Sequence, residues 1–175
     1  MVKSRKDQRE QDEIKLLHEL VRNSKENLDT IAKRCRFSRQ KTWRLMKELE
    51  KNKLIWGYSA IFDEQKIGLQ HFILMLKRNP IGLTKNEKSR IIGREIEDVA
   101  KKYGMSIECS AFIHGEYDWM VTCLAPDIKN VKKFTDEMIQ KYPGFLENLS
   151  IMQTLLFFTK NYILNPERAK LNDLL

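Results

Sequence analysis

Cysteine is scarce and shows no pairing pattern: Cys35, Cys109 and Cys123 form no CxxC and are odd in number. A disulfide framework is therefore not expected, and a reducing interior is. There is no Gly-rich phosphate loop and no Cys/His spacing of metal-ligand type, so neither a nucleotide cofactor nor a metal is expected. The opening MVKSRKDQRE leads into no signal-type apolar region, and the longest apolar runs, such as residues 72–76, are far too short to span a bilayer. The expectation is a soluble, cytoplasmic protein without a membrane partner. At 175 residues and 42% hydrophobic content the chain can bury a real core, and its length suits two small domains.

What the chain does have is positive charge concentrated in one place. Its net charge is +8, and nine Lys or Arg against two acids between residues 33 and 53 leave +7 there. This block lies on a helix-turn-helix pattern. Asn27 is a good N-cap for a helix over residues 28–35, with Ile31 and the small Ala32 on its inner face. Ser38 caps a second helix over about 39–51, whose Thr42, Leu45, Met46 and Leu49 fall at i, i+3, i+4, i+7. That spacing leaves Arg39, Gln40, Lys41, Arg44 and Lys47 facing outward. Gln and Arg carry paired donors or acceptors that match base edges in the major groove, and lysines act as point charges on phosphate. The candidate DNA-binding set is Arg34, Arg36, Ser38, Arg39, Gln40, Lys41, Arg44 and Lys47, with double-stranded DNA as partner. The turn 36–38 lacks glycine, so a non-Gly residue is expected in a left-handed conformation, at a cost on the order of 1 kcal/mol. Residues 1–9 are polar and expected to fray; a helix over 7–23, carrying Ile14, Leu17, Leu20 and Val21, covers the back of the pair.

Past residue 52 the period changes to that of a connecting strand, 54–62, in which Trp56 and Tyr58 are read as packing residues. From His71 the pattern alternates: a strand 71–77, a helix 85–103, strands 106–113 and 117–124, a helix 128–142 and a last strand 149–158. The order βαββαβ predicts an α+β fold, a ferredoxin-like sandwich with both helices on one face of a four-stranded antiparallel sheet. Leu155, Leu156, Phe157 and Phe158 are apolar at both parities, which calls for a partner sheet or subunit over the second face. The domains are expected at 1–53 (helix-turn-helix), 54–68 (hinge strand), 69–160 (second domain) and 161–175 (extension, with Asn165-Pro166 opening a short helix). His114, Glu116 and Asp118 could be read as acid/base chemistry, and Cys109, Cys123 and His114 as a metal or redox site. A polar hairpin turn and small buried thiols account for them better, so no catalytic residue and no enzyme activity is assigned.

The order and spacing of several short strings resembles the Lrp/AsnC, or feast/famine, family of bacterial and archaeal transcriptional regulators over about residues 8–160. They are Ile31-Ala32, Phe37-Ser38, Leu49-Glu50, Ile55-Trp56-Gly57-Tyr58-Ser59-Ala60, Asp63, Gly68, Gly115-Glu116-Tyr117-Asp118, Pro126-Asp127 and Pro143-Gly144. The resemblance implies a DNA-binding domain joined by a hinge strand to an effector-sensing and oligomerising domain, as homodimers that often assemble into octamers. It implies further that Gly115, Tyr117 and Asp118 lie near a pocket for an amino-acid effector. The chain departs from the family pattern in its long 79–97 segment, in Lys53 where a helix-ending glycine is usual (so that Asn52 is expected to turn left-handed), and in its 161–175 tail. An architectural chromatin protein is the alternative reading.

Overall fold

The computed structural model describes residues 5–80 and 82–175. Contacts divide the chain into two units: one ends at Ile61 and takes in Phe157–Leu175, and the other is Phe62–Leu156.

In the first unit three helices follow apolar spacing near 3.6: α1 (Arg5–Arg22), α2 (Leu28–Cys35) and α3 (Arg39–Lys51). Residues 5–9 are helical rather than frayed, and residues 1–4 lie outside the described residues. The expected caps are in place. Asn27 Oδ1 accepts from the Thr30 amide at 2.8 Å and Ser38 Oγ from the Lys41 amide at 3.1 Å, satisfying donors that a helix start leaves orphaned. Between the two helices Arg36 takes φ 55°, the left-handed residue that the missing glycine demands. After α3 the left-handed residue is Lys53 (φ 58°) and not Asn52 (φ −79°), whose amide still reaches the Glu48 carbonyl. Leu16, Leu20, Ile31, Cys35, Leu45 and Leu49 form the core. On α1 the inner row is Asp12, Leu16 and Leu20, each four residues apart; Ile14 and Val21, expected inside, flank that row and stay about half exposed.

The expected connecting strand 54–62 belongs to no sheet among the described residues. Ile55 packs on the helical core, and the Leu54 and Ile55 amides both donate to the Leu49 carbonyl. Without a neighbouring strand nothing covers Trp56, which is 93% exposed rather than packed. Tyr58 is half exposed, and its hydroxyl donates to Glu50 at 3.2 Å.

The second unit opens with a 3₁₀ turn at Glu64–Ile67, closed by Gly68 at φ 76°. There follow β1 (Gln70–Arg78), α4 (Lys85–Ile92), α5 (Glu95–Lys102), β2 (Ser106–Phe112), β3 (Trp119–Ala125), α6 (Ile128–Lys141) and β4 (Leu146–Gln153). The sheet is antiparallel in the order β2-β3-β1-β4, the ferredoxin-like arrangement expected. Phe72, Leu74, Val121 and Cys123 on its inner face pack against Val99 and Ala100 of α5 and Val131 and Phe134 of α6. Ile92 and Ile139, also expected inside, point to solvent. Register places Ile73, Met75, Met120 and Met152 on the other face. β4 ends at Gln153, so residues 155–158 are not part of the strand and the two-sided apolar pattern read there does not belong to the sheet.

The single helix expected over 85–103 is broken. Gly93 ends α4 and Arg94, at φ 66°, starts α5. Glu95 ties the pieces together: its carboxylate accepts from Arg90 Nε and Nη2 (2.6 and 2.8 Å), Lys141 Nζ (2.9 Å) and the Tyr142 hydroxyl (2.7 Å). Those donors, Arg90 first, hold the Glu95 carboxyl far below its ordinary range, and burial with the Glu95 bond pushes Tyr142 up to about 12.

In the first unit the tail forms a hairpin, β5 (Thr159–Lys160) with β6 (Ile163–Leu164), and then the short helix expected after Asn165-Pro166, a 3₁₀ helix at Arg168–Asp173. Asn165 accepts from the Glu167 amide at 2.8 Å and donates to the Phe157 carbonyl at 2.8 Å, closing the hairpin.

Glu95→Gln should lower stability by about 1–2 kcal/mol at pH 7, through lost charge-assisted hydrogen bonds in a partly solvated site. Because the folded carboxyl titrates below the unfolded one, its contribution is full above the ordinary carboxylate range and fades as pH falls toward the folded value. Urea midpoints of parent and variant should therefore differ at pH 7 and converge toward pH 3; a gap that stays constant would assign Glu95 a purely steric role.

Candidate nucleic-acid interface

Burial of Thr42, Leu45 and Leu49 fixes the rotation of α3 about its axis. At 100° per residue, Gln40, Trp43, Arg44, Lys47 and Lys51 then share an arc of about 100° on the opposite, exposed side. The sequence reading leaves Trp43 unassigned. Its place three residues after Gln40 and four before Lys47 was the available signal, and the structure shows it 56% exposed at one edge of that arc.

The other candidates sort by their partners. Among the described residues, Arg36 in the turn and Arg44 on the arc have no acidic partner. Lys47 pairs with Glu50 at 2.8 Å and holds that carboxyl below its usual range. Arg39 pairs with Asp29 at 2.7 Å, both well exposed, so that pair is readily exchanged for another anion. Arg34 lies between Glu26 (3.3 Å) and Glu19 (3.6 Å). Ser38 is occupied as the cap of α3.

Lys41 does not face outward as its spacing suggests. Its ammonium lies 2.5 Å from the buried Asp12 carboxylate of α1 and 4.1 Å from the centre of the Phe37 ring. A carboxylate so little exposed needs a cation, and Lys41 is within reach because Asp12 sits in the inner row of α1.

The turn between β2 and β3 is the second candidate site. Gly115 stands at φ 158° in open space, a conformation side-chain-bearing residues rarely adopt. Asp118 accepts from the Arg78 backbone amide (3.0 Å) and from Arg78 Nε (3.1 Å), at the end of β1, and these bonds hold its carboxyl below the usual range. The Arg78 guanidinium also lies 5.4 Å from the Phe112 ring centre. The Tyr117 hydroxyl is 3.2 Å from Ser150 Oγ on β4. Asp118 and Tyr117 thus tie this turn to β1 and, beyond it, to β4.

Cys109 and Cys123 do not converge. Cys123 pairs with Phe72 and Ile107 on the inner face, where burial pushes its thiol up to about 12; Cys109 pairs with Thr122 on the other face. No group of three His, Cys, Asp or Glu that could hold a metal exists among the described residues, and no helix there is long and apolar enough to cross a membrane.

The chain thus carries a capped helix-turn-helix followed in sequence by a ferredoxin-like sandwich. In fold it is similar to solved structures of Lrp/AsnC transcriptional regulators. The AsnC family transcriptional regulator from Agrobacterium tumefaciens is similar with TM-score 0.64 and 18% identity, over 90% of this chain and 97% of that one. A transcriptional regulator from Neisseria meningitidis in complex with L-Met gives TM-score 0.64 at 16% identity, over 94% and 97%. LrpC of B. subtilis gives 0.57 at 16%, over 90% and 97%. No family model and no curated protein matches the sequence.

The partner pattern separates two lysine and arginine roles. Lys41→Ala should lower stability by about 1–3 kcal/mol by stranding the Asp12 carboxylate, whereas Arg44→Ala should leave the unfolding midpoint unchanged. Equal midpoints for the two variants in urea titrations would remove the distinction.

Proposed function

We propose that the protein is a sequence-specific, DNA-binding transcriptional regulator of the Lrp/AsnC type, working in the cytoplasm as a homodimer or a higher assembly of dimers, and not an enzyme. The observation that carries this reading is the outward arc of α3: exposed and basic, with one base-reading amide (Gln40) near its centre and, at one edge, one arginine (Arg44) that has no acidic partner among the described residues. Gln40 and Arg44 read base edges; Arg36, Arg39, Lys47 and Lys51 bind phosphate, and Arg34 contributes positive potential behind them. The part-exposed apolar face of the sheet, Ile73, Met75, Met120 and Met152, is the surface for self-association.

The effector reading rests on the Asp118–Arg78 pair. A partly buried carboxylate and a half-exposed guanidinium side by side are complementary to a zwitterion: an amino acid can place its ammonium on Asp118 and its carboxylate on Arg78, beside the open Gly115 turn and Tyr117. The L-Met bound to the Neisseria meningitidis regulator shows that a protein of this fold takes such a ligand. An effector that favours one assembly state shifts DNA affinity, and DNA shifts effector affinity by the same factor.

For DNA, Arg44→Ala should weaken binding to the preferred site by about 1–3 kcal/mol and relax specificity, while Lys47→Ala should weaken all sequences alike and reduce the salt slope by about 0.9. Footprints should be pseudo-palindromic and light scattering should give at least a dimer. Wild-type affinity in a folded Gln40/Arg44/Lys47 triple alanine variant, or an asymmetric footprint from a monomer, would sink this assignment.

For the effector, calorimetry across the amino acids should find binding that Asp118→Ala and Arg78→Ala each reduce at least tenfold. Unaltered binding in both variants would move the effector site away from this turn.

A further inference from the structure

Trp43 is the residue of α3 that neither core nor charge accounts for. A tryptophan ordinarily buries its ring or sets it at an interface, since the indole is among the largest apolar groups a chain carries. Here it is 56% exposed at mid-helix. The buried Thr42, Leu45 and Leu49 hold the far side, so no rotation of α3 can bring the indole inside without expelling them. The indole is therefore available for an external contact. The groups around it on the arc are Gln40, Arg44, Lys47 and Lys51, and a surface of that charge selects a polyanion over an apolar protein partner.

On the reading of α3 as the DNA-reading helix, on which this inference rests, the indole faces base edges. The major groove presents one exposed apolar group, the C5-methyl of thymine, and apolar side chains read thymine by touching it. We propose that Trp43 is a specificity-determining residue that recognises thymine in each half-site by packing its indole against the C5-methyl group. Arg44 and Gln40 read the polar edges of the flanking pairs, and Trp43 supplies what they cannot, discrimination of thymine by its methyl. The preferred site carries thymine at a fixed step from the pairs that Gln40 and Arg44 read.

The test uses the full chain. Selection from a randomised duplex pool gives the preferred site, and each thymine in it is then replaced singly by deoxyuridine, which deletes the methyl and leaves every hydrogen-bonding edge in place. At one or two positions per half-site the replacement should weaken wild-type binding about four- to tenfold, the effect of removing one buried methyl contact. Trp43→Ala should bind the thymine site more weakly and be indifferent to uracil at those positions, and Trp43→Phe should keep part of the sensitivity. An unchanged urea midpoint in Trp43→Ala, expected of an exposed side chain, shows that the loss is one of contact. If wild type tolerates uracil everywhere, or if wild type and Trp43→Ala lose equally at each position, Trp43 does not read thymine although α3 still reads DNA. If selection returns no preferred site at all, the base-reading role of α3 fails and this inference fails with it.

Discussion

The rotation of α3 about its own axis is the constraint on which the candidate interface depends. Three residues on one side, Thr42, Leu45 and Leu49, are driven out of water against Leu16, Leu20, Ile31 and Cys35, and a helix cannot bury one side without presenting the other. Gln40, Trp43, Arg44 and Lys47 are exposed for that reason and for no reason of their own. The caps at Asn27 and Ser38, with Arg36 turned left-handed between them, set where the helix begins and hence which residues fall on the arc.

Charge is then sorted by burial. Asp12, in the inner row of α1, needs a cation and takes Lys41 from the helix whose exposed side forms the candidate interface. Arg34 is drawn to Glu26 and Glu19, while Arg36 and Arg44 keep no acidic partner among the described residues. The positive block is thereby narrower than its sequence span: some of its cations hold the unit together, and those left over give the outward field.

The second unit uses ion pairs in two further ways. Glu95 gathers Arg90, Lys141 and Tyr142 and so joins α4 and α6 across the break at Gly93 and Arg94, a structural role in which one carboxylate accepts from all three. Asp118 and Arg78 form a more open pair at the end of β1, beside a glycine turn with free space around it. The first is saturated and the second is not, which is why only the second is read as a place for a zwitterion.

Sequence alone determined what depends on neighbours within about one helical turn. The bounds of α2 and α3, the capping oxygens of Asn27 and Ser38, the left-handed residue in the 36–38 turn and the βαββαβ order were all legible, because caps and periodicity are local. Tertiary structure decided what depends on distant partners. Lys41 turns inward for an aspartate 29 residues away, Asp118 is held by an arginine 40 residues away, and Trp56 stays in solvent because no strand comes alongside it. β4 stops at Gln153 although apolar residues continue, and Leu16 rather than Ile14 enters the core. In each case the local pattern allows more than one outcome, and the choice falls to whichever buried charge or apolar surface the rest of the chain brings within reach.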